Sequence, residues 1–300
     1  MAVEKKDAPI KQGDCRELLK GLEANSVHLV LTDPPYFLDG LGSDWNDKRI
    51  KQSRSKAGVV GGLPVGMKFD SSQGLRLARF LEPVAQEWLR VLKPGGFALC
   101  FAQARLSHHA AMAMEGAGFE IRDICAWAYE GQAKAFSQDH FVRRRTDWSE
   151  DKKACTLKAL GGRKTPQLKP RMELIIVGQK PREGTFVDNW LQYRTGLIDI
   201  SNPVIETDRM PGTIIPADKP KDRHGHITAK PVALLRHLIR IFSDKGECTL
   251  VLDSFAGGGS TGEAALLEGR RFIGFEIEAD YVRRANQRIK AVMECTPRKM

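Results

Sequence analysis

The residues best suited to chemistry form one short run, Thr32-Asp-Pro-Pro-Tyr-Phe37. Asp33 offers a carboxylate acceptor and Pro34 a backbone carbonyl, and the run holds both nearly rigid because neither Pro34 nor Pro35 has an N–H and each has its φ locked. Two fixed acceptors suit an amino group whose lone pair is delocalised into a ring. Accepting its N–H bonds favours a pyramidal, more nucleophilic nitrogen. Tyr36 adds a flat face on which a base extruded from a helix can stack, a contact typically worth ~1–3 kcal/mol. The same residues also read as a plain strand-ending turn, with Asp33 capping a loop and Tyr36 packing.

A second run, Leu250-Val-Leu-Asp-Ser-Phe-Ala-Gly-Gly-Gly-Ser-Thr-Gly262, passes from apolar residues into glycines. Glycines at a strand-to-helix turn let a ligand approach the backbone and leave the helix N-terminus open to anionic groups. Gly257, Gly259 and Gly262 fit G-x-G-x-x-G, and Glu276 ends the next apolar run, where a carboxylate can accept from ribose hydroxyls. Dinucleotides, S-adenosylmethionine and tight packing all use such turns, so the spacing alone leaves the ligand open. A P-loop does not fit, since no lysine precedes Ser260 or Thr261. Two smaller features accompany these. In Gly13-Asp14-Cys15, Asp14 could accept from an adenine amine or simply cap a helix. In His226-Ile-Thr-Ala-Lys-Pro231, Pro231 suits a helix's first turn and Lys230 could meet a carboxylate, although a capped helix also explains the run.

Elements must position these groups. Ser26 to Thr32 reads as a buried strand ending at Asp33, which puts the first run at a strand's carboxyl end. Leu77, Leu81, Val84, Trp88 and Val91 share one helical face within Leu75 to Val91, and Lys93-Pro-Gly-Gly96 closes that helix before a strand from Phe97 to Phe101. A short helix around Ser107 to Glu115 and strands at Phe119 to Tyr129 and Glu173 to Gln179 follow. Alternation resumes with a helix from Pro231 to Phe242, a strand Thr249 to Asp253, a helix Thr261 to Gly269, a strand Arg271 to Ile277 and a helix from Ala279 to about Met293. Strands alternating with helices predict a doubly wound, mostly parallel α/β sheet. Gly40 to Ser72 is expected to be a long loop and Pro181 to Gly225 an irregular stretch.

The 300 residues, 42% of them hydrophobic, suffice for one large core carrying an insertion. No stretch approaches the roughly 20 apolar residues of a membrane span, and the start MAVEKKDAPIKQGD lacks a signal-peptide apolar run, so the expected address is the cytoplasm, at the nucleoid. Six scattered cysteines without C-x-x-C argue against a structural zinc or a disulfide framework, and no metal is expected. The net charge is +10, and Glu130 to Arg182 holds 13 Lys and Arg against 6 Asp and Glu, which places +7 of it in one segment. Such clustering suits phosphate contact through Arg143, Arg144, Arg145, Lys152, Lys153, Arg163 and Lys164; the bland alternative is a solvated loop.

Taken together and in this order, D-P-P-Y, F-x-G-x-G as Phe255-Ala-Gly-Gly-Gly259, H-x-T-x-K-P and G-D-C resemble the beta group of amino-methyltransferases acting on DNA. The resemblance implies a Rossmann-like fold with a DNA-binding insertion, S-adenosylmethionine as cofactor and DNA as substrate. Together with the charge clustering and the interrupted alternation, this divides the chain into a catalytic half (1–129), a basic insertion (130–172), a core strand (173–180), a candidate target-recognition segment (181–225) and a cofactor-binding half (226–300); the resemblance itself covers 13–36, 88–101, 173–180 and 211–288. Asp33, Pro34, Pro35 and Tyr36 would serve the target amine. Asp253, Ser254, Phe255, Ala256, Gly257 and Gly259 would surround the methionine part of the cofactor, with Glu276 on the ribose, Asp14 and Cys15 near the adenine and Lys230 near the carboxylate. Asp at the head of the tetrapeptide leans toward adenine N6 over cytosine N4, which poses the same chemical problem. A homodimer and a cognate restriction nuclease are compatible partners. A nicotinamide-dependent oxidoreductase would leave Asp33 to Tyr36 without a purpose, and a silent DNA-binding protein would have no use for both motifs.

Overall fold

A computed structural model of the chain describes residues 9–36, 71–131, 135–166, 168–201, 203–205, 210–220 and 229–295. The loop expected over Gly40 to Ser72 lies outside them except for its last two residues, as does His226. Eight strands among the described residues, β1 (Ile10–Gln12), β2 (Val27–Thr32), β3 (Leu92–Ala102), β4 (Glu120–Ala128), β5 (Met172–Gln179), β6 (Ile214–Pro216), β7 (Leu250–Asp253) and β8 (Arg271–Glu276), form one sheet ordered β1-β8-β7-β2-β3-β5-β4-β6. The α-helices among the described residues are α1 (Cys15–Leu18), α2 (Gln73–Val91), α3 (Ser107–Gly116), α4 (Asp139–Arg143), α5 (Glu150–Ala159), α6 (Phe186–Tyr193), α7 (Val232–Phe242), α8 (Ser260–Leu267) and α9 (Ala279–Cys295).

The sheet is parallel through β1, β8, β7, β2 and β3, and again between β4 and β6, while β5 runs antiparallel to β3. All six residues of β2 are buried, as expected of an apolar run covered on both faces. From β2 the chain proceeds outward to β3, and from β7 it proceeds the other way to β8. The β2–β7 boundary is therefore the switch point, outside whose carboxyl ends open α/β sheets place ligands.

The helical face read from Leu77 to Val91 is buried, and Trp88 donates its indole N–H to Ser254 Oγ at 2.8 Å, tying α2 to the residue after β7. Lys93-Pro-Gly-Gly96 lies within β3 and not between helix and strand. Val27 pairs with Leu92 and Leu29 with Phe97, so these residues bulge out of the ladder, helped by a φ of 76° at Gly95. The expectation of an irregular Pro181 to Gly225 also needs correction. Thr185 and Asp188 form a capping box that starts α6, and Ile214–Pro216 adds β6 to the sheet edge.

The chain divides into two compact units, Met1–Ala128 with Glu173–Met300, and Tyr129–Met172. The smaller unit holds α4 and α5, a bridge between Ser137 and Lys164, and an ion pair of Glu130 with Lys169 at 2.9 Å. Val142 is the buried apolar residue of α4, and α5 buries none. Trp148 is flanked by cations, with Arg145 and Lys152 lying 4.8 and 4.7 Å from its ring centre.

Gly259 caps the N-terminus of α8 with φ 77°, and a Cβ there would meet Ala285 Cβ of α9 at 3.0 Å. Gly259→Ala is expected to lower stability by about 1–3 kcal/mol through backbone strain and crowding of α9. Urea denaturation measures this, and an unchanged midpoint would show that the turn relaxes freely.

Candidate active site at the carboxyl edge of the sheet

Asp33 and the glycine turn belong to neighbouring strands, since Leu29 and Val30 of β2 pair with Val251 and Leu252 of β7. Thr32 donates to Asp253 Oδ1 at 2.7 Å, so the residue before Asp33 is bonded to the residue that opens the turn. The antiparallel β5 brings its first residues to this same edge, with Leu174 opposite Ala102 at the end of β3. Glu173 arrives there as a result. A carboxylate at the start of an antiparallel strand thus joins residues from the ends of parallel ones.

Four side chains close into a network. Lys230, only 8% exposed, donates to Asp33 Oδ2 and lies 3.0 Å from Glu173 Oε1. The Tyr36 hydroxyl lies 2.6 Å from Asp33 Oδ1 and 2.5 Å from Glu173 Oε1. Burial works against the Lys230 ammonium, yet the two carboxylates outweigh it and hold its pKa above the usual lysine value. Burial, reinforced by Asp33 and Glu173, pushes the Tyr36 phenol well above its ordinary range, so it stays a proton donor. The Tyr36 carbonyl accepts from Gln73 Nε2, and the half-buried ring packs on the core. Pro34 is buried and Pro35 half-buried beside it.

Lys230, which the family resemblance aligns with a cofactor carboxylate, here donates to Asp33 and Glu173. Sequence reasoning missed Glu173. Its signal was an acidic residue abutting the apolar run Leu174 to Val177, whose meaning depends on strand direction. Asp14 caps α1 and is gripped by Arg16, which holds its carboxyl below the usual range. The Cys15 side chain belongs to the core, where burial lifts its thiol to about 12.

The turn itself is tightly built. Asp253 is 3% exposed and accepts from Thr32 and from the Phe255 N–H at 3.0 Å. Ser254 is spoken for by Trp88, Phe255 lies 5.8 Å from Phe80 ring to ring, and the Ala256 N–H donates to the Phe275 carbonyl. Gly259 and Gly262 lack Cβ atoms where α9 and Phe272 pack, whereas Gly257, with φ 48°, donates its N–H to Glu276 Oε2 at 2.9 Å.

The donor set fits a nucleoside cofactor. Glu276 accepts one backbone N–H on each oxygen, from Gly257 and from Glu278 at 2.8 Å, which fixes the carboxylate and leaves lone pairs for vicinal hydroxyls. Its burial raises its pKa against the pull of those N–H groups. One residue past β3, Gln103 Oε1 is buried with no hydrogen-bond partner among the described residues, an acceptor that an N–H donor of a ligand would satisfy. Among the described residues no group of three His, Cys, Asp or Glu side chains is arranged to hold a metal ion.

A family model described as DNA methylase matches residues 27–287. Type II methyltransferase M.HindIII of Haemophilus influenzae is 28% identical over 283 residues, covering 86% of this chain and 87% of its own length. Type II methyltransferase M2.DpnII of Streptococcus pneumoniae is 26% identical over 291 residues, covering 94% and 89%. Among solved structures, the M1.HpyAVI–SAM complex superposes with a TM-score of 0.53 at 18% identity, covering 93% of this chain and 98% of its own. PvuII DNA methyltransferase, cytosine-N4-specific, gives 0.56 at 15%, covering 95% and 90%. At such identities these two structures speak for the fold.

Burial pushes the Asp253 carboxyl up to about 6, its hydrogen bonds from Thr261, Thr32 and the Phe255 N–H only partly opposing the shift. A folded pKa above the unfolded value of about 3.9 means that the fold favours the protonated form; this stabilisation is complete below about pH 4 and lost as pH rises through the folded pKa. Relative to Asp253→Asn, wild-type stability should therefore fall by up to about 3 kcal/mol between about pH 4 and pH 7. Urea midpoints of both proteins across that range test it, and a pH-independent difference would remove Asp253 as the source.

Proposed function

Because the chain belongs to the DNA methylase family, we propose that it transfers a methyl group from S-adenosylmethionine to the exocyclic amino nitrogen of a base flipped out of DNA, with adenine N6 as the acceptor. The observation that carries the reading is the Thr32–Asp253 hydrogen bond, which sets the Asp33-Pro-Pro-Tyr36 run directly beside the glycine turn. An acceptor pair for an amine and a nucleoside-binding edge then share one crevice.

The chain's own residues account for the rest. Glu276 would hold the ribose hydroxyls, and Phe255 with the turn around Gly257 would line the methionine part. Bound there, S-adenosylmethionine supplies an electrophilic methyl group on a cationic sulfur. Asp33 accepts one N–H of the amine and the Pro34 carbonyl the other, which localises the nitrogen lone pair toward that methyl. With the cofactor bound, its methyl would be exchanged for one amine proton, which would leave through Asp33, the carboxylate that already accepts that N–H, to solvent. Tyr36 presents its ring to the extruded base. Holding the two reactants at contact supplies much of the rate.

Asp33→Ala should cut methyl transfer by more than about 10²-fold, the loss typical of a preorganised catalytic group, while S-adenosylmethionine affinity by calorimetry stays within a few-fold. A variant retaining a tenth of wild-type turnover would remove Asp33 from this role. Mapping modified bases in DNA from expressing cells decides adenine against cytosine.

The smaller unit is the proposed phosphate clamp, with sequence reading assigned to Pro181 to Met210. Arg143 and Arg144 are exposed and make no ion pair among the described residues, whereas Arg145 is engaged by Asp147 through bonds of 2.7 and 2.6 Å. Three adjacent arginines thus offer about two free cations. Replacing Arg143 and Arg144 by alanine should flatten the slope of log affinity against log salt by about two on every DNA sequence, and adding Arg145→Ala should change it little. An unchanged slope would mark a solvated loop, and methylation of new sites would make this unit a base reader.

A further inference from the structure

The network around Asp33 poses a problem of proton count that bears on how the proposed substrate enters. A phenol has one proton to donate, and the Tyr36 hydroxyl stands at nearly equal distance from two carboxylate oxygens, Asp33 Oδ1 at 2.6 Å and Glu173 Oε1 at 2.5 Å. It can donate to one of them at a time. Lys230 satisfies Asp33 Oδ2 and also touches Glu173 Oε1. With both Asp33 oxygens engaged, an incoming amine meets Tyr36 as a competitor for Oδ1.

Resting on the methyltransferase reading, we infer that Glu173 is a positioning residue that draws the Tyr36 hydroxyl off Asp33 when the target amine arrives. As the amine N–H donates to Asp33 Oδ1, the phenolic proton is committed to Glu173 Oε1, so no buried polar group is left without a partner during the exchange. The raised pKa of the phenol keeps it protonated and so confined to the donor role. Lys230 bridges both carboxylates and holds them at the separation that allows the hand-over. Glu173 reaches this place because β5 alone of the strands beside β3 starts at the carboxyl edge.

Without Glu173 the hydroxyl has only Asp33 to bond, and it blocks the amine site. Glu173→Ala should raise KM for DNA about tenfold, the scale of a hydrogen bond that must be broken without replacement, and leave S-adenosylmethionine affinity unchanged. The discriminating variant is Tyr36→Phe in the Glu173→Ala background. It removes the competitor, and KM for DNA should recover by several-fold, although Tyr36→Phe alone gives no such gain. A merely structural role for Glu173 predicts further loss in the double variant. If Glu173→Ala melts below the assay temperature, Glu173→Gln, whose amide oxygen is a weaker acceptor, should show a smaller rise in KM that Tyr36→Phe again offsets. Wild-type KM in both single variants at Glu173, or no recovery on removing the hydroxyl, overturns the hand-over while leaving the methyltransferase reading intact. Absence of methyl transfer by the wild type would overturn both.

Discussion

A lysine ammonium with 8% of its side chain exposed has to be neutralised where it sits, and Lys230 is neutralised by two carboxylates drawn from different strands. Asp33 comes from the end of β2, Glu173 from the start of β5, and Lys230 from the residues leading into α7. Removing either carboxylate changes what the other must do. The Tyr36 phenol stitches the same pair from the opposite side, and Gln73 at the start of α2 fixes the Tyr36 backbone. The run that looks like an isolated tetrapeptide is therefore held by three distant parts of the chain.

The glycine turn obeys a different constraint. Its side chains and carbonyls are bound to protein nearly throughout: Asp253 to Thr32, Ser254 to Trp88, and Gly258 through its carbonyl to Arg288. Gly259 and Gly262 are glycines because α9 and Phe272 approach them, a packing reason that the G-x-G-x-x-G spacing does not distinguish from ligand approach. What remains presentable to a ligand is Glu276, fixed by two backbone N–H groups, and the backbone near Gly257. Rigidity of the turn and selectivity of its exposed edge follow from the same hydrogen bonds.

The basic segment is less uniformly positive than its composition suggests. Arg145 is paired with Asp147, Lys153 with Glu150, and Lys169 with Glu130, and each pair lies within the smaller unit. Exposed pairs of this kind contribute little stability, but they remove charge from the field that a polyanion would meet. The cations that no carboxylate pairs among the described residues of this unit are Arg143, Arg144, Lys152, Lys158, Arg163 and Lys164, spread along the segment with Lys152 lying over Trp148.

Apolar period and turn residues by themselves determined the alternating elements, the parallel sheet and the strand ends that carry Asp33 and Glu276, because burial acts on patterns local enough to read along the chain. The capping box of α6, Thr185 with Asp188, falls in the stretch expected to be irregular, and the short apolar runs at β1 and β6 carry no period of their own and form only against neighbours already in place. Strand direction was the decisive omission. Nothing in Glu173 to Gln179 says which way that strand runs, and direction alone sends Glu173 to the edge where Asp33, Tyr36 and Lys230 meet. Likewise, spacing could offer Lys230 a carboxylate without saying whose. Pairings across 197 and 137 residues are settled by how the sheet closes, since a buried charge takes the partner that tertiary structure delivers to it.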